Sequence, residues 1–170
     1  SKCAPMIEAG LWYRPSYFPA SGETNWRQSC DREVGLVRKT VGICDVSTLG
    51  KIDIQGPDAA RLLDLVYANT FSSLKPGKVR YGLMLREDGH VMDDGTTARL
   101  GAEHFVMTTT TAAAGQVMRH LEFVSQAIHP EWDVRIMSVT EQWAQFAVAG
   151  PKSRALLNGL LDAPIDDENW

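Results

Sequence analysis

Two glycine-proline joints constrain this chain more than any other feature. Lys51-Ile-Asp-Ile-Gln55 alternates as a half-buried strand does, Gly56-Pro57 follows, and Leu62, Leu63 and Val66 then recur at helical spacing. A proline fits the first turn of a helix, where its missing N–H would have had no intrahelical partner. The same grammar returns at Phe146-Ala-Val148, Gly150-Pro151 and Leu156-Leu157, position for position. Gly-Pro is a common strand-to-helix joint, but the matched pair points to repeated strand-Gly-Pro-helix units and a duplicated β-α architecture.

Between the copies, Tyr81 to Arg86 alternates, Glu87-Asp-Gly89 supplies a hairpin turn, and Val91 to Leu100 returns. Phe105 to Thr109 reads as a further strand, and 133–140 and 142–149 as two more. Thr110 or Thr111 is placed to cap a helix with Val117, Leu121, Val124 and Ile128 on one face. Upstream, Thr24 is placed to cap a helix that buries Trp26, Cys30, Val34, Val37 and Val41 and stops at Gly42. Residues 11–19 join large aromatics to two prolines, which excludes helix and predicts an extended arm whose aromatics pack on their own domain rather than on another subunit. The pattern predicts the α+β class, antiparallel sheets with helices on one face, organised as an arm at 1–23 and a domain at 24–170.

At 170 residues and 44% hydrophobic content the chain can bury a core. Its 17 basic and 21 acidic residues offer no field for a phosphate backbone, so no nucleic-acid partner is expected. Cys3, Cys30 and Cys44 fit neither a disulfide framework nor a CxxC site. No apolar run approaches the ~20 residues of a membrane span, and no leader pattern is present. A soluble cytoplasmic protein is expected, with no membrane partner. The start at Ser1 and the ending Asp-Asp-Glu-Asn-Trp170, directly after a helical pattern, read as a cut piece of a longer chain.

The chemistry-bearing candidates are few. No GxGxxG or GxxxxGK[ST] occurs, so a flavin or NAD is expected to be held mainly elsewhere. His90, His104, His120 and His129 show no HExxH and no pairing with cysteine, so no metal is expected, His90 near Asp93 being the nearest approach to one. Asp93-Asp94 is the most informative pair, because two carboxylates stand in mid-strand where β-branched residues are preferred. Strand alternation sends them to opposite faces, so they cannot work as a paired acid and base. Two readings stand: a desolvated carboxylate that accepts ligand N–H groups or balances a cation, or two surface aspartates beside a hairpin. Asp45, beside Ser47 and Thr48, reads as a turn or cap. The run Thr108–Thr111 reads as a strand end passing into a helix cap, with hydroxyls that can also line a polar pocket.

The ordered series Asp45-Val-Ser-Thr-Leu-Gly50, Ile54-Gln-Gly-Pro-Asp-Ala59, Tyr81-Gly-Leu-Met-Leu-Arg-Glu-Asp-Gly89 and Met92-Asp-Asp-Gly95 resembles the aminomethyltransferase (glycine cleavage T-protein) superfamily. Within it, Pro5 to Pro15, Asp93 to Leu100 and Val139 to Pro151 resemble the family of heterotetrameric sarcosine oxidase alpha subunits. The resemblance implies the front portion of a folate-binding fold, from an enzyme that oxidises sarcosine at a flavin and passes the methylene carbon to tetrahydrofolate. Glycine, hydrogen peroxide and methylenetetrahydrofolate are the implied products. FAD, FMN and NAD are the implied cofactors of the whole enzyme, and beta, gamma and delta subunits its implied partners. The family's critical carboxylate falls on Asp93, and Leu49, Tyr81, Phe105 and Met107 fall along the implied folate channel. Thr48-Leu49 stands where the T-protein pattern has His-Met, so Leu49 keeps an apolar contact and a polar one is lost. Because the family domain continues past residue 170, the resemblance implies a half-built pocket in this segment and an inactive isolated fragment. No side chain here accepts a hydride. Two alternatives remain: an aminomethyltransferase of the glycine cleavage system or a dimethylglycine-oxidising relative, and a noncatalytic module that assembles subunits.

Overall fold

The computed structural model describes residues 4–166. In chain order its main elements are β1 (Met6–Ala9), β2 (Trp12–Pro15), α1 (Trp26–Lys39), β3 (Gly42–Asp45), β4 (Gly50–Gln55) and α2 (Ala59–Val66). They continue as β5 (Val79–Leu85), β6 (Val91–Gly101), β7 (His104–Thr109), α3 (Ala114–Phe123), β8 (Arg135–Ser138), β9 (Phe146–Ala149) and α4 (Ser153–Asn158). They form two compact units: the segments up to Glu8, from Trp12 to Val46 and from Ala144 onward, and the segments Ala9–Leu11 and Ser47–Trp143.

In the first unit, β1 and β2 form a hairpin and β3 pairs antiparallel with β9. Of the aromatics in the hairpin and the chain after it, Tyr13 and Phe18 are exposed, against the expected packing, while Tyr17 is half-buried. Helix α1 is capped by Asn25, whose side chain accepts from Gln28 N at 3.2 Å, while Thr24 N donates back to Gln28 Oε1 at 2.7 Å. This reciprocal box displaces the expected Thr24 cap by one residue. The expected buried stripe is also corrected, since Trp26 is 58% exposed and Val34 is exposed, leaving Ser29 the one buried residue of the helix. A polar network holds that side of α1. Glu23 accepts from Ser29 Oγ at 2.5 Å, Arg32 Nε at 2.6 Å and Ala20 N at 2.7 Å, and Glu33 accepts from Phe18 N at 2.8 Å.

The Arg32 guanidinium, with help from the Ser29 hydroxyl and the Ala20 N–H, pulls the Glu23 carboxyl down to about 2 from its ordinary 4.5. A carboxyl depressed on folding stabilises above its unfolded value and loses that contribution as pH falls through the folded one. The 18–23 segment should therefore loosen on α1 between about pH 4.5 and 2. Amide exchange across 18–23 checks this, and Glu23→Gln should abolish the pH dependence.

The second unit holds a five-stranded antiparallel sheet in the order β5-β6-β7-β4-β8. Its core is built on one face. Ile52 and Ile54 of β4, Met84 of β5, and Phe105 and Met107 of β7 meet Leu62, Leu63 and Val66 of α2 and Val117 and Leu121 of α3. These positions follow the expected alternation in the strands and the expected helical stripe in α2. One position departs: Ile128 is exposed, although Val117, Leu121 and Val124 are buried. The chain between Val124 and Ile128 is a π turn, with His129 N bonded to Val124 O at 2.9 Å, and its wider winding carries Ile128 off the stripe.

The two Gly-Pro joints are conformationally alike. Gly56 and Gly150 have φ of 130° and 118°, and a Cβ on either would lie 2.3 Å from the Asp133 carbonyl or 2.4 Å from that of Val37. Only glycine combines that backbone with that approach. Each joint leads to a short helix, but α2 begins at Ala59 with Asp58 as its cap, so Pro57 precedes the first turn instead of occupying it.

Candidate functional site

The two faces of the five-stranded sheet differ in what they offer a ligand. The helix-covered face is closed, whereas the opposite face presents exposed Val79, Tyr81, Leu83 and Leu85 from β5. In β5 and β6, Leu83 pairs with Asp94, Tyr81 with Thr96 and Met84 with Asp93. Cross-strand partners share a face, so Asp94 and Thr96 join Tyr81 on the open side, and Asp93 joins Met84 on the helix side.

The alternation expected for the Asp pair therefore holds in the fold. Asp93 is 7% exposed, and its carboxylate accepts the Thr110 N–H at 3.1 and 3.3 Å. Thr110 directly precedes a 3₁₀ turn at Thr111–Ala113 that leads into α3. No hydroxyl of Thr110 caps that turn, as the sequence suggested; the Asp93 carboxylate satisfies the backbone there, where negative charge is favoured. The Thr110 N–H and the start of a helix give Asp93 a structural reason to be buried.

Asp94 accepts the Tyr81 hydroxyl. That bond holds the Tyr81 phenol above its ordinary range, with desolvation and the charges of Asp94 and Asp93 adding to it. Beside the pair, the Thr96 and Thr108 hydroxyls lie 3.0 Å apart, and Thr108 Oγ1 also accepts from Thr96 N at 3.0 Å. Side chains thus replace the backbone ladder where β6 and β7 part. Gly95 permits the close join, since a Cβ there would lie 2.0 Å from the Thr108 carbonyl.

The sequence-marked residues divide between the faces. Phe105 and Met107 share a strand face as alternation required, but both are 0% exposed and packed with Ile52 and Ile54 in the core. Leu49 immediately precedes β4 and is half-buried. Tyr81, 55% exposed, is the marked residue with an open aromatic surface. Asp94, which the sequence pattern does not single out from Asp93, shares the open face with Tyr81, and its spacing from Tyr81 across the hairpin is the signal for that. Behind the sheet, buried Tyr67 is pushed above its ordinary range by desolvation, with the nearby Asp93 and Asp94 carboxylates adding to it, and stays neutral.

The other marked positions show no site. His90 faces Asp88 at 3.4 Å, and among the described residues no group of three or more His, Cys, Asp or Glu is arranged to hold a metal. Cys30 and Cys44 are free thiols, and Cys3 lies outside the described residues. Asp45 ends β3. Among the described residues no helix is long and apolar enough to cross a membrane. A groove of about 460 Å³ in the second unit lies instead between the β5–β6 turn and α3, lined by Arg86, Met92, His120 and Phe123.

Comparison with known proteins agrees with this architecture. The family model described as GCVT N-terminal domain matches residues 1–170. The chain is 58% identical over 164 residues to the sarcosine oxidase subunit alpha of Rhizobium meliloti, covering 96% of this chain and 17% of that protein. It is 47% identical to the same subunit of a Corynebacterium, covering 91% and 16%. It is 30% identical to the aminomethyltransferase of Staphylococcus haemolyticus, covering 96% and 42%. The chain thus spans less than half the length of each of these relatives. The solved structure of the glycine cleavage aminomethyltransferase T of Bartonella henselae superposes with a TM-score of 0.79 at 22% identity, over 92% of this chain and 39% of that one. With its mixed α/β architecture and antiparallel sheets, the chain belongs to the GCVT N-terminal domain family.

Proposed function

We propose that this chain is the folate-side segment of a sarcosine oxidase alpha subunit, and that tetrahydrofolate is received on the open face of the five-stranded sheet. The observation that carries the placement is the Tyr81–Asp94 pair, which joins an exposed aromatic ring to a carboxylate on the open face. The donor set fits the ligand: a flat heteroaromatic with N–H groups stacks on a phenol ring and donates to a carboxylate. When bound, tetrahydrofolate supplies amine nitrogens that take up a one-carbon unit. Asp94 accepts a ligand N–H and offsets positive charge that develops beside it, in a setting where fixed dipoles act more strongly than in water. Asp93 supports that arrangement from the other side of the strand by fixing Thr110, so the pair divides into a ligand-facing and a bracing carboxylate. Leu49 contributes apolar contact, and Phe105 and Met107 act from beneath by keeping β7 in place.

In this reading the amine is oxidised at a flavin held elsewhere in the enzyme, whose FAD, FMN and NAD are bound by other segments. Its beta, gamma and delta subunits assemble on the longer polypeptide, and the enzyme works in the cytoplasm. The products are glycine, hydrogen peroxide and methylenetetrahydrofolate. Sarcosine as donor rests on the higher identity to the sarcosine oxidase subunits than to the aminomethyltransferase.

Binding of tetrahydrofolate to the full-length protein, followed by calorimetry, tests the placement. Tyr81→Ala should weaken binding by about tenfold, the worth of one stacked ring. Unchanged affinity would remove the open face from consideration.

A further inference from the structure

Lys51 is a buried cation that the carbon transfer does not use. It is 3% exposed, and a lysine is almost never buried so fully unless its amine is engaged. Its Nζ donates to the carbonyls of Ser47 and Leu49, each at 2.8 Å. Both acceptors belong to the turn that delivers Leu49 and leads into β4. The Lys51 backbone is fixed in turn, because its N–H donates to Thr140 Oγ1 at 3.0 Å and its carbonyl accepts from Val139 N at 2.9 Å.

The same turn is held from its other side. The Thr48 and Thr111 hydroxyls lie 3.2 Å apart, and Thr111 follows the Thr110 whose N–H bonds Asp93. Gly50 packs where a Cβ would lie 2.1 Å from Thr109 Oγ1 and 2.6 Å from Ala114 Cβ, so the end of the turn lies close against the end of β7 and the start of α3. Bonded contacts therefore run from the Lys51 ammonium through the 47–49 turn and Thr111 to Asp93, the neighbour of Asp94.

We infer that Lys51 is a positioning residue for folate, whose ammonium fixes the Ser47 and Leu49 carbonyls and so sets the 47–49 turn relative to the Asp93–Asp94 strand. This rests on the open-face folate site. A charged donor suits the task, since charge-assisted bonds to carbonyls are stronger than neutral ones and two acceptors on one amine define the turn. Without it, the half-buried Ser47 and Leu49 carbonyls lose a charged donor.

The test uses the full-length enzyme and reads folate-dependent methylene transfer at varied tetrahydrofolate. Lys51→Met should raise the KM for tetrahydrofolate by about tenfold while kcat at saturation changes little, because the turn is displaced and no reacting group is removed. Lys51→Arg, which keeps a cation able to reach both carbonyls, should recover most of the loss. A KM unchanged in Lys51→Met, or a fall in kcat with KM constant, overturns the inference. If Lys51→Met is too unstable to assay, Lys51→Arg and Lys51→Gln replace it: KM should rise further in Gln than in Arg, and equal values overturn the inference. Tyr81→Ala serves as the reference. If it leaves KM unchanged, the open-face site itself fails; if it raises KM and the Lys51 variants do not, the positioning role alone fails.

Discussion

Phe105→Ala should cost about 3–5 kcal/mol of stability, the usual loss for emptying a fully buried aromatic site. Phe105 has no exposed surface, packs with Ile54 and the residues of α2 and α3, and carries the Arg99 guanidinium 5.0 Å over its ring. The cavity would open in the middle of the only apolar core among the described residues, which lies wholly in the second unit. Denaturant unfolding followed by a probe in this domain measures the loss. At temperatures where the variant remains folded, tetrahydrofolate affinity should stay close to the parent's, because the ring faces helices and not the open side. A large loss of affinity with stability intact would return Phe105 to the lining of a ligand channel.

Asp94→Asn should lower methylenetetrahydrofolate formed per hydrogen peroxide by about 10²–10³-fold in the full-length enzyme, the scale of removing one preorganised electrostatic partner of developing charge. The ratio isolates carbon transfer from amine oxidation. The imine left unused hydrolyses to formaldehyde and glycine, so formaldehyde should rise as the folate product falls. Asp93→Asn should behave differently. Replacing the charged acceptor of the Thr110 N–H by a neutral amide oxygen should cost about 1 kcal/mol of stability with a smaller change in the ratio. An undiminished ratio in Asp94→Asn and Asp93→Asn together would favour a module that only assembles subunits.

Much of this architecture was legible in the residues, for reasons tied to particular positions. The Gly56-Pro57 and Gly150-Pro151 joints were readable because each demands a backbone that glycine alone adopts beside a close carbonyl. Alternation told correctly that Asp93 and Asp94 part company and that Phe105 and Met107 travel together. It could not tell which face was which, because a period of two fixes parity and leaves its sign to register. Register here passes through a shift between Met84 and Leu85 that no residue pattern announces, and it sets Asp94 with Tyr81 and Asp93 with the core. Helical spacing failed at Ile128 because a π turn changed the period, and at Trp26 and Val34 because the side of α1 around Ser29 is held by the charged Glu23–Arg32 contact. The clamp at Lys51 was hidden for another reason: its acceptors are backbone carbonyls, which carry no residue signal.

A crystal structure of the full-length protein with a stable reduced folate decides which face of the sheet receives the ligand. Ring density stacked on Tyr81, with a ligand nitrogen within hydrogen-bond distance of Asp94, is the expected result. Density bonded to Asp93 on the helix side, with Phe105 and Met107 moved apart to admit it, would rule out the open face as the folate site.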